Sequence, residues 1–198
     1  MNDSEGGSEA AAAVEAHVRE FFAGHEITVE DGAPGGSRPA AGHGQGPGPR
    51  ILMVGPGPRA DSWAYVTAGC WASTADGDGQ GIEFVLTAPV RDERFAELLR
   101  ATAAYHDAHH LDVEHSLPIG EPWLPGSACD HLLISLPYLH GPELEHCPVP
   151  GGHARVLWAL PVTAAEMDYR REHGNEALER LFDEHAILPN DPKRPSVV

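Results

Sequence analysis

The chain has 198 residues and a formal net charge of −17, set by 13 Lys and Arg against 30 Asp and Glu, with Lys193 as its single lysine. So negative a surface excludes bulk attraction to nucleic acid or to an anionic membrane, while 41% hydrophobic residues supply a core for a single domain. The cysteines at 70, 129 and 147 form no CxxC pair and leave one over in any disulfide scheme, the start MNDSEGGSEA is acidic, and no apolar run approaches the roughly 20 residues of a membrane span, which together favour a soluble, cytoplasmic protein.

Residues 1–8 read as a flexible polar start, with a folded domain over 9–198. Residues 9–23 are rich in helix formers, and Val14, Val18, Phe21 and Phe22 recur at helical spacing before Gly24. The Gly- and Pro-rich run 32–49 has almost nothing apolar to bury and reads as a mobile loop within that domain. Short strands are expected at 51–54, 63–67 (WAYVT) and 82–87 (IEFVLT), spaced as antiparallel neighbours. Asp76, Asp78, Gln80 and Gly81 imitate the opening of a calcium loop, but Thr87 stands where a bidentate Glu is required, so a turn is expected there.

From 92 to about 109 the pattern becomes helical, with Phe95, Leu98, Leu99, Thr102 and Tyr105 as one buried stripe. Strands follow at 132–136 (LLISL) and 156–160 (VLWAL), each ended by a proline, Pro137 or Pro161. Thr163 and Glu166 spell a capping box for a helix running to Gly174, and Asn175 is placed to cap the next, through Leu178, Leu181 and Phe182. Strands segregated from helices predict an α+β domain: a mixed, largely antiparallel β-sheet flanked by helices.

Residues 101–154 contain no Lys or Arg but eight His and seven Asp or Glu, a stretch whose charge depends on pH. It reads either as a solvated surface or as one that attracts cations. His106 and His110 share a helix face four residues apart, with His115 a short loop away. A metal is geometrically compatible with these three, yet HxxxH lacks the Glu of a zinc-protease motif, so no metal and no cofactor is expected. No nucleophile elbow occurs, the glycines at 42, 44 and 46 have neither a leading strand nor a following helix, and Cys129 beside Asp130 and His131 shows no sign of activation. No catalytic residue is assigned.

The order of segments WAYVTAG, IEFVLTAP, LLRATAAYH, HSLPIGEPW, HLLISLPY, VLWALPVTAAE and the ending RPSVV resembles the suppressor of fused family, in its bacterial branch, over roughly residues 50–198. The resemblance implies a mixed sheet flanked by helices and no enzymatic activity. Eukaryotic relatives are two-lobed and restrain a transcription factor by gripping a short peptide between the lobes, whereas bacterial relatives look like immunity proteins of toxin systems. It carries over to Tyr105 at the helix end and to Glu114 before His115 as contributors to a peptide cleft. Two departures stand: Glu114 replaces the Asp of the eukaryotic members, and the chain is short for a second lobe.

Tyr105 also completes the stripe begun at Phe95, so core and contact roles are both open for it, and Glu114 can equally be a solvated acid. Trp63, Tyr65 and Trp71 read as strand and core aromatics. Trp123 and Tyr138 lie beside prolines in loops, where exposure suits them to partner contact. The reading that follows is a non-catalytic protein-binding domain that sequesters or neutralises a protein partner, possible targets being a basic toxin or a regulator. Charge complementarity would steer encounter with a basic partner, and protonation of the histidines below about pH 6 would weaken it. The alternatives are a metal-dependent hydrolase built on His106, His110, His115 and Glu114, and an adaptor that binds a transcriptional regulator. The sequence leaves oligomeric state open.

Overall fold

The computed structural model describes residues 3–32 and 48–198. The chain divides into two compact units, Met1–Leu111 with Leu136–Trp158, and Asp112–Ser135 with Ala159–Val198. Their class is α+β, with mixed, mostly antiparallel strand pairing and accompanying helices, as the sequence predicts. Among the described residues no helix is long and apolar enough to cross a membrane.

In the first unit, β1 (Ile27–Glu30), β2 (Arg50–Val54), β3 (Trp63–Ala68) and β4 (Gln80–Ala88) form an antiparallel meander. Next to β4 runs β8 (Gly152–Thr163), parallel to it from Gln80↔His153 to Val85↔Trp158, and β7 (His146–Val149) pairs antiparallel with β8. The centres of these strands are continuously apolar, and Ile51, Leu52, Val66, Phe84, Leu86, Val156 and Leu157 are fully buried. Helix α1 (Asp3–Phe21) buries Val14, Val18 and Phe21, with Phe22 buried just beyond its end, and α3 (Glu93–His109) packs on β2, β3 and β4. Two short helices, α2 (Trp71–Thr74) and α4 (Pro142–Glu145), complete the unit.

A buried carboxylate organises the turn from β3 into α2. Glu83 accepts from Thr67 Oγ1 at 2.6 Å, from the Gly69 amide at 2.9 Å and from the Trp71 amide at 3.0 Å. The Asp76 segment is the turn the sequence predicts: one Asp76 carboxylate oxygen accepts from the amides of Asp78 and Gln80 and delivers the chain into β4.

The second unit holds β5 (Ser116–Pro118) paired antiparallel with β6 (Cys129–Ser135). Helix α5 (Ala164–His173) packs on β6 and on α6 (Asn175–Glu184). The predicted capping box is formed, with the Glu166 amide donating to Thr163 Oγ1 at 3.2 Å and the Thr163 amide donating to the Glu166 carboxylate at 2.9 Å.

Several expectations are corrected. Residues 3–8, read as a loose polar start, lie in the first turns of α1, where a Cβ on Gly7 would come within 3.0 Å of Ala72 Cβ. The stripe of α3 is Phe95, Ala96, Leu99, Thr102, Ala103 and His106, and Tyr105 falls outside it. At about 100° per residue, ten positions leave Tyr105 roughly 80° off Phe95, whereas eleven bring His106 back to within about 20°. Pro161 does not end β8 but lies within it, since proline lacks only the donor, and its carbonyl accepts from Arg194 at 3.0 Å. Gly174 rather than Asn175 caps α6; Asn175 is the first helical residue and donates to Glu179 at 2.9 Å. The strands β1, β5 and β7 and the helices α2 and α4 have no counterpart in the sequence reading. Most of the Gly- and Pro-rich run expected as a mobile loop, residues 33–47, lies outside the described residues.

Candidate functional site

Helix α3 presents the first group of predicted site residues. Asp92 caps it by accepting from the Arg94 amide at 3.0 Å, and His110 ends it in the left-handed conformation, its amide donating to the His106 carbonyl at 2.7 Å. On the outer face Tyr105 is 39% exposed, its ring 4.3 Å from that of His109. On the inner face His106 is buried, edge-on to Phe84 at 5.3 Å, with Nε2 at 2.8 Å from Thr74 Oγ1. His106 is therefore a core polar residue tying α3 to α2. Of the two histidines expected on one helix face, His106 is buried and His110 exposed, their rings edge-on with centroids 6.3 Å apart.

Glu114 and His115 lie in the second unit, in the tight turn before β5. The Asp112 amide donates to His115 Nδ1 at 3.1 Å and the His115 amide to the Asp112 carbonyl at 3.0 Å. Glu114 has φ +70°, a left-handed conformation that costs a non-glycine residue roughly 1–2 kcal/mol. Its main chain is tied on both sides: the amide donates to the Ile134 carbonyl at 2.8 Å, and the carbonyl accepts from the Arg170 guanidinium. The carboxylate is carried on an exposed residue.

Trp123 departs from expectation. Rather than standing exposed beside its prolines, it is only 2% exposed and fills the loop between β5 and β6. Its indole Nε1 donates to Ser127 Oγ at 3.0 Å, and the same hydroxyl accepts from the Cys129 amide at 3.1 Å. The serine four residues on gives the buried indole its hydrogen-bond partner, and Leu124 of the same loop is buried as well.

Tyr138 is exposed as predicted, at 62%, next to Leu139 at 51%. Both sit at the tip of a turn closed by the His140 and Gly141 amides, which donate to the Pro137 carbonyl at 2.8 and 2.7 Å. Behind the tip, His140 packs edge-on against Phe21 and Phe22, with centroids at 5.9 and 5.4 Å. Burial, and then the nearby Arg59 guanidinium, push the His140 imidazole down to about 4. Arg59 in turn lies over Phe21 at 4.2 Å and reaches Glu143 at 3.1 Å. This aromatic seat for the Tyr138 turn escaped the sequence reading, because its parts come from three separate stretches of chain.

The three cysteines are buried thiols; burial raises all of them, and Cys147 is pushed up to about 11. That is the opposite of nucleophile activation. What the described surface offers is exposed aromatic rings at Tyr105 and Tyr138 in the first unit and a conformationally fixed acid at Glu114 in the second.

A family model described as "Suppressor of fused protein (SUFU)" matches residues 48–195. Among solved structures, the chain is similar to a SUFU homologue from Neisseria gonorrhoeae, at 28% identity and TM-score 0.78, over 96% of this chain and 98% of that one. It is also similar to a chain of the Sufu–Fu complex, at 15% identity and TM-score 0.68, over 96% and 92% of the two chains. Drosophila Suppressor of Fused matches at 13% identity and TM-score 0.60, over 96% of this chain and 51% of that one. These last two likenesses are of fold. Comparison with curated protein sequences finds no match.

Proposed function

Because the chain belongs to the suppressor of fused family, we propose that it is a non-catalytic protein-binding domain that sequesters or neutralises a protein partner. The observation that carries this reading is the family match across residues 48–195. Exposed rings at Tyr105 and Tyr138 add support, since aromatic side chains that become desolvated dominate binding energy at protein interfaces. The backbone strain at Glu114 points the same way, because non-glycine residues held in the left-handed region cluster at functional sites.

The net charge of −17 selects the kind of partner. A cationic protein, such as a nuclease-type toxin, would be steered toward this surface and held by complementary charge. In that role the domain acts as an immunity protein, occupying its target by contact rather than by chemistry.

The test is capture from lysate of the producing cells at low salt, followed by reconstitution with the captured protein. The expected result is a basic partner whose association weakens as salt rises and falls by about tenfold or more in Tyr105→Ala or Tyr138→Ala. Capture that recovers no protein at low salt sinks the proposal.

A further inference from the structure

The β7–β8 hairpin carries two histidines that have no part in the partner-binding reading. The register sets His146 opposite Arg155 and Pro148 opposite His153, so these four residues share one face of the hairpin. Cys147 and Ala154, on the other face, are buried. On the outer face His146 Nδ1 and His153 Nε2 stand 3.4 Å apart, with ring centroids separated by 5.5 Å.

That separation is long for a hydrogen bond between ring nitrogens. It matches a tetrahedral ion: bonds of about 2.0–2.1 Å hold two imidazole nitrogens about 3.3–3.4 Å apart. A square-planar ion with similar bonds would need them about 2.9 Å apart.

One of the two rings also has a carboxylate beside its second nitrogen. A metal-bound imidazole normally has its second nitrogen directed at a carboxylate or carbonyl, which fixes the tautomer. Glu145 Oε1 lies 4.0 Å from His146 Nε2 and is itself held by Arg155 Nε and Nη2 at 3.1 and 2.7 Å. This leaves Nδ1 of His146 as the nitrogen that faces His153. The main chain of His153 is fixed as well, its amide donating to the Gly79 carbonyl at 2.9 Å and its carbonyl accepting from Trp71 Nε1 at 3.1 Å. Glycine is required for that grip: a Cβ on Gly152 would lie 1.9 Å from the Gly79 carbonyl oxygen.

We propose that His146 and His153 form a two-imidazole site for a zinc-class divalent cation, with water filling the remaining coordination positions. Among the described residues no three His, Cys, Asp or Glu side chains converge as a metal-holding group. The site is therefore open and exchangeable, unlike the closed four-ligand centres that hold structural zinc. It stands independently of partner binding.

The test uses the full chain without an affinity tag, titrated with zinc chloride alone and followed by calorimetry and by the NMR signals of the histidine rings. The expected result is one saturable site at which the ring signals of His146 and His153 move together. Affinity should fall by about tenfold or more in His146→Gln and in His153→Ala, and stay unchanged in His109→Ala. Both loss variants should melt as the unmodified chain does without zinc, which separates ligation from packing. Zinc affinity that survives both changes, or ring shifts confined to other histidines, overturns the proposal.

Discussion

Arg194 closes a bidentate ion pair on Glu166, with Nη1 to Oε1 at 2.7 Å and Nη2 to Oε2 at 2.8 Å, the two side chains being 3% and 0% exposed. Glu166 also completes the cap of α5 through the Thr163 amide and accepts from the Val197 amide at 3.2 Å, while Arg194 donates to the Pro161 carbonyl. One buried carboxylate thus joins the end of β8, the start of α5 and the C-terminal segment. The T-x-x-E signature was visible in the sequence as a cap; its second role was not, because the partner arginine lies 28 residues on.

Removing the arginine leaves an uncompensated buried charge. Arg194→Met is expected to lower stability by about 3–5 kcal/mol, read as a shift in the urea midpoint. Glu166→Leu combined with Arg194→Met should recover part of that loss, because replacing both members by apolar groups removes the stranded charge. A loss under about 1 kcal/mol in Arg194→Met would mean that the tail is not fastened by this pair.

Glu83 makes a parallel case in the first unit. It is wholly buried and satisfies three donors at the β3–α2 turn, one of which, Thr67 Oγ1, accepts from the Phe84 amide at 2.8 Å. Glu83→Ala strands the Gly69 and Trp71 amides and is expected to cost about 3 kcal/mol or more. Thr67→Val, which removes one donor to Glu83 and the acceptor of the Phe84 amide but leaves both turn amides on the carboxylate, should cost about 1–2 kcal/mol. Thermal melts of the two variants, ranked in the other order, would contradict this account.

The His140 seat predicts acid sensitivity with a definite sign. Its imidazole is pushed down to about 4 in the folded chain, against about 6.5 when unfolded. Between those values the unfolded chain takes up a proton that the native chain refuses. The stability contributed by neutral His140 is complete above about pH 6.5 and is lost as pH falls toward 4. Allowing for partial solvent screening, the loss is on the order of 1–2 kcal/mol. His140→Phe keeps an aromatic ring in the seat and cannot titrate, so its stability should fall less than that of the parent chain between pH 7 and 4.5; parallel curves would refute the assignment.

Periodicity made the long elements legible. β2, β3, β4, β6, β8, α3 and α5 all lie over stretches whose apolar spacing or capping residues announce them. The residues that failed did so for identifiable reasons. Tyr105 follows Phe95 by ten positions, and the rotation accumulated over them carries it to the surface, where a contact role is open to it. Trp123 stands between prolines, a pattern that suggests exposure, but its indole finds a hydrogen-bond partner in Ser127 of the same loop and is buried beside it. The short strands β1, β5 and β7 hold three or four residues each, too few for any period to register, and they are strands because neighbouring strands offer them backbone partners. The family, by contrast, was readable from the order of weak motifs taken together, and the matched residues 48–195 agree with it.

Glu114 offers the sharpest separation of backbone from side chain. Its φ of +70° suits glycine, so Glu114→Gly relieves strain while it deletes the carboxylate. Added freedom in the unfolded chain offsets the relief, and stability should stay within about 1 kcal/mol of the parent. Glu114→Gln keeps the shape and the strain and removes only the charge. If the acid meets a basic partner, both variants should bind that partner more weakly and with a shallower salt dependence, at unchanged thermal stability. Should binding by Glu114→Gln equal that of the parent while Glu114→Gly loses it, the fixed turn rather than the charge is the recognised feature. Unchanged binding by both would remove Glu114 from the interface and leave Tyr105 and Tyr138 to carry it.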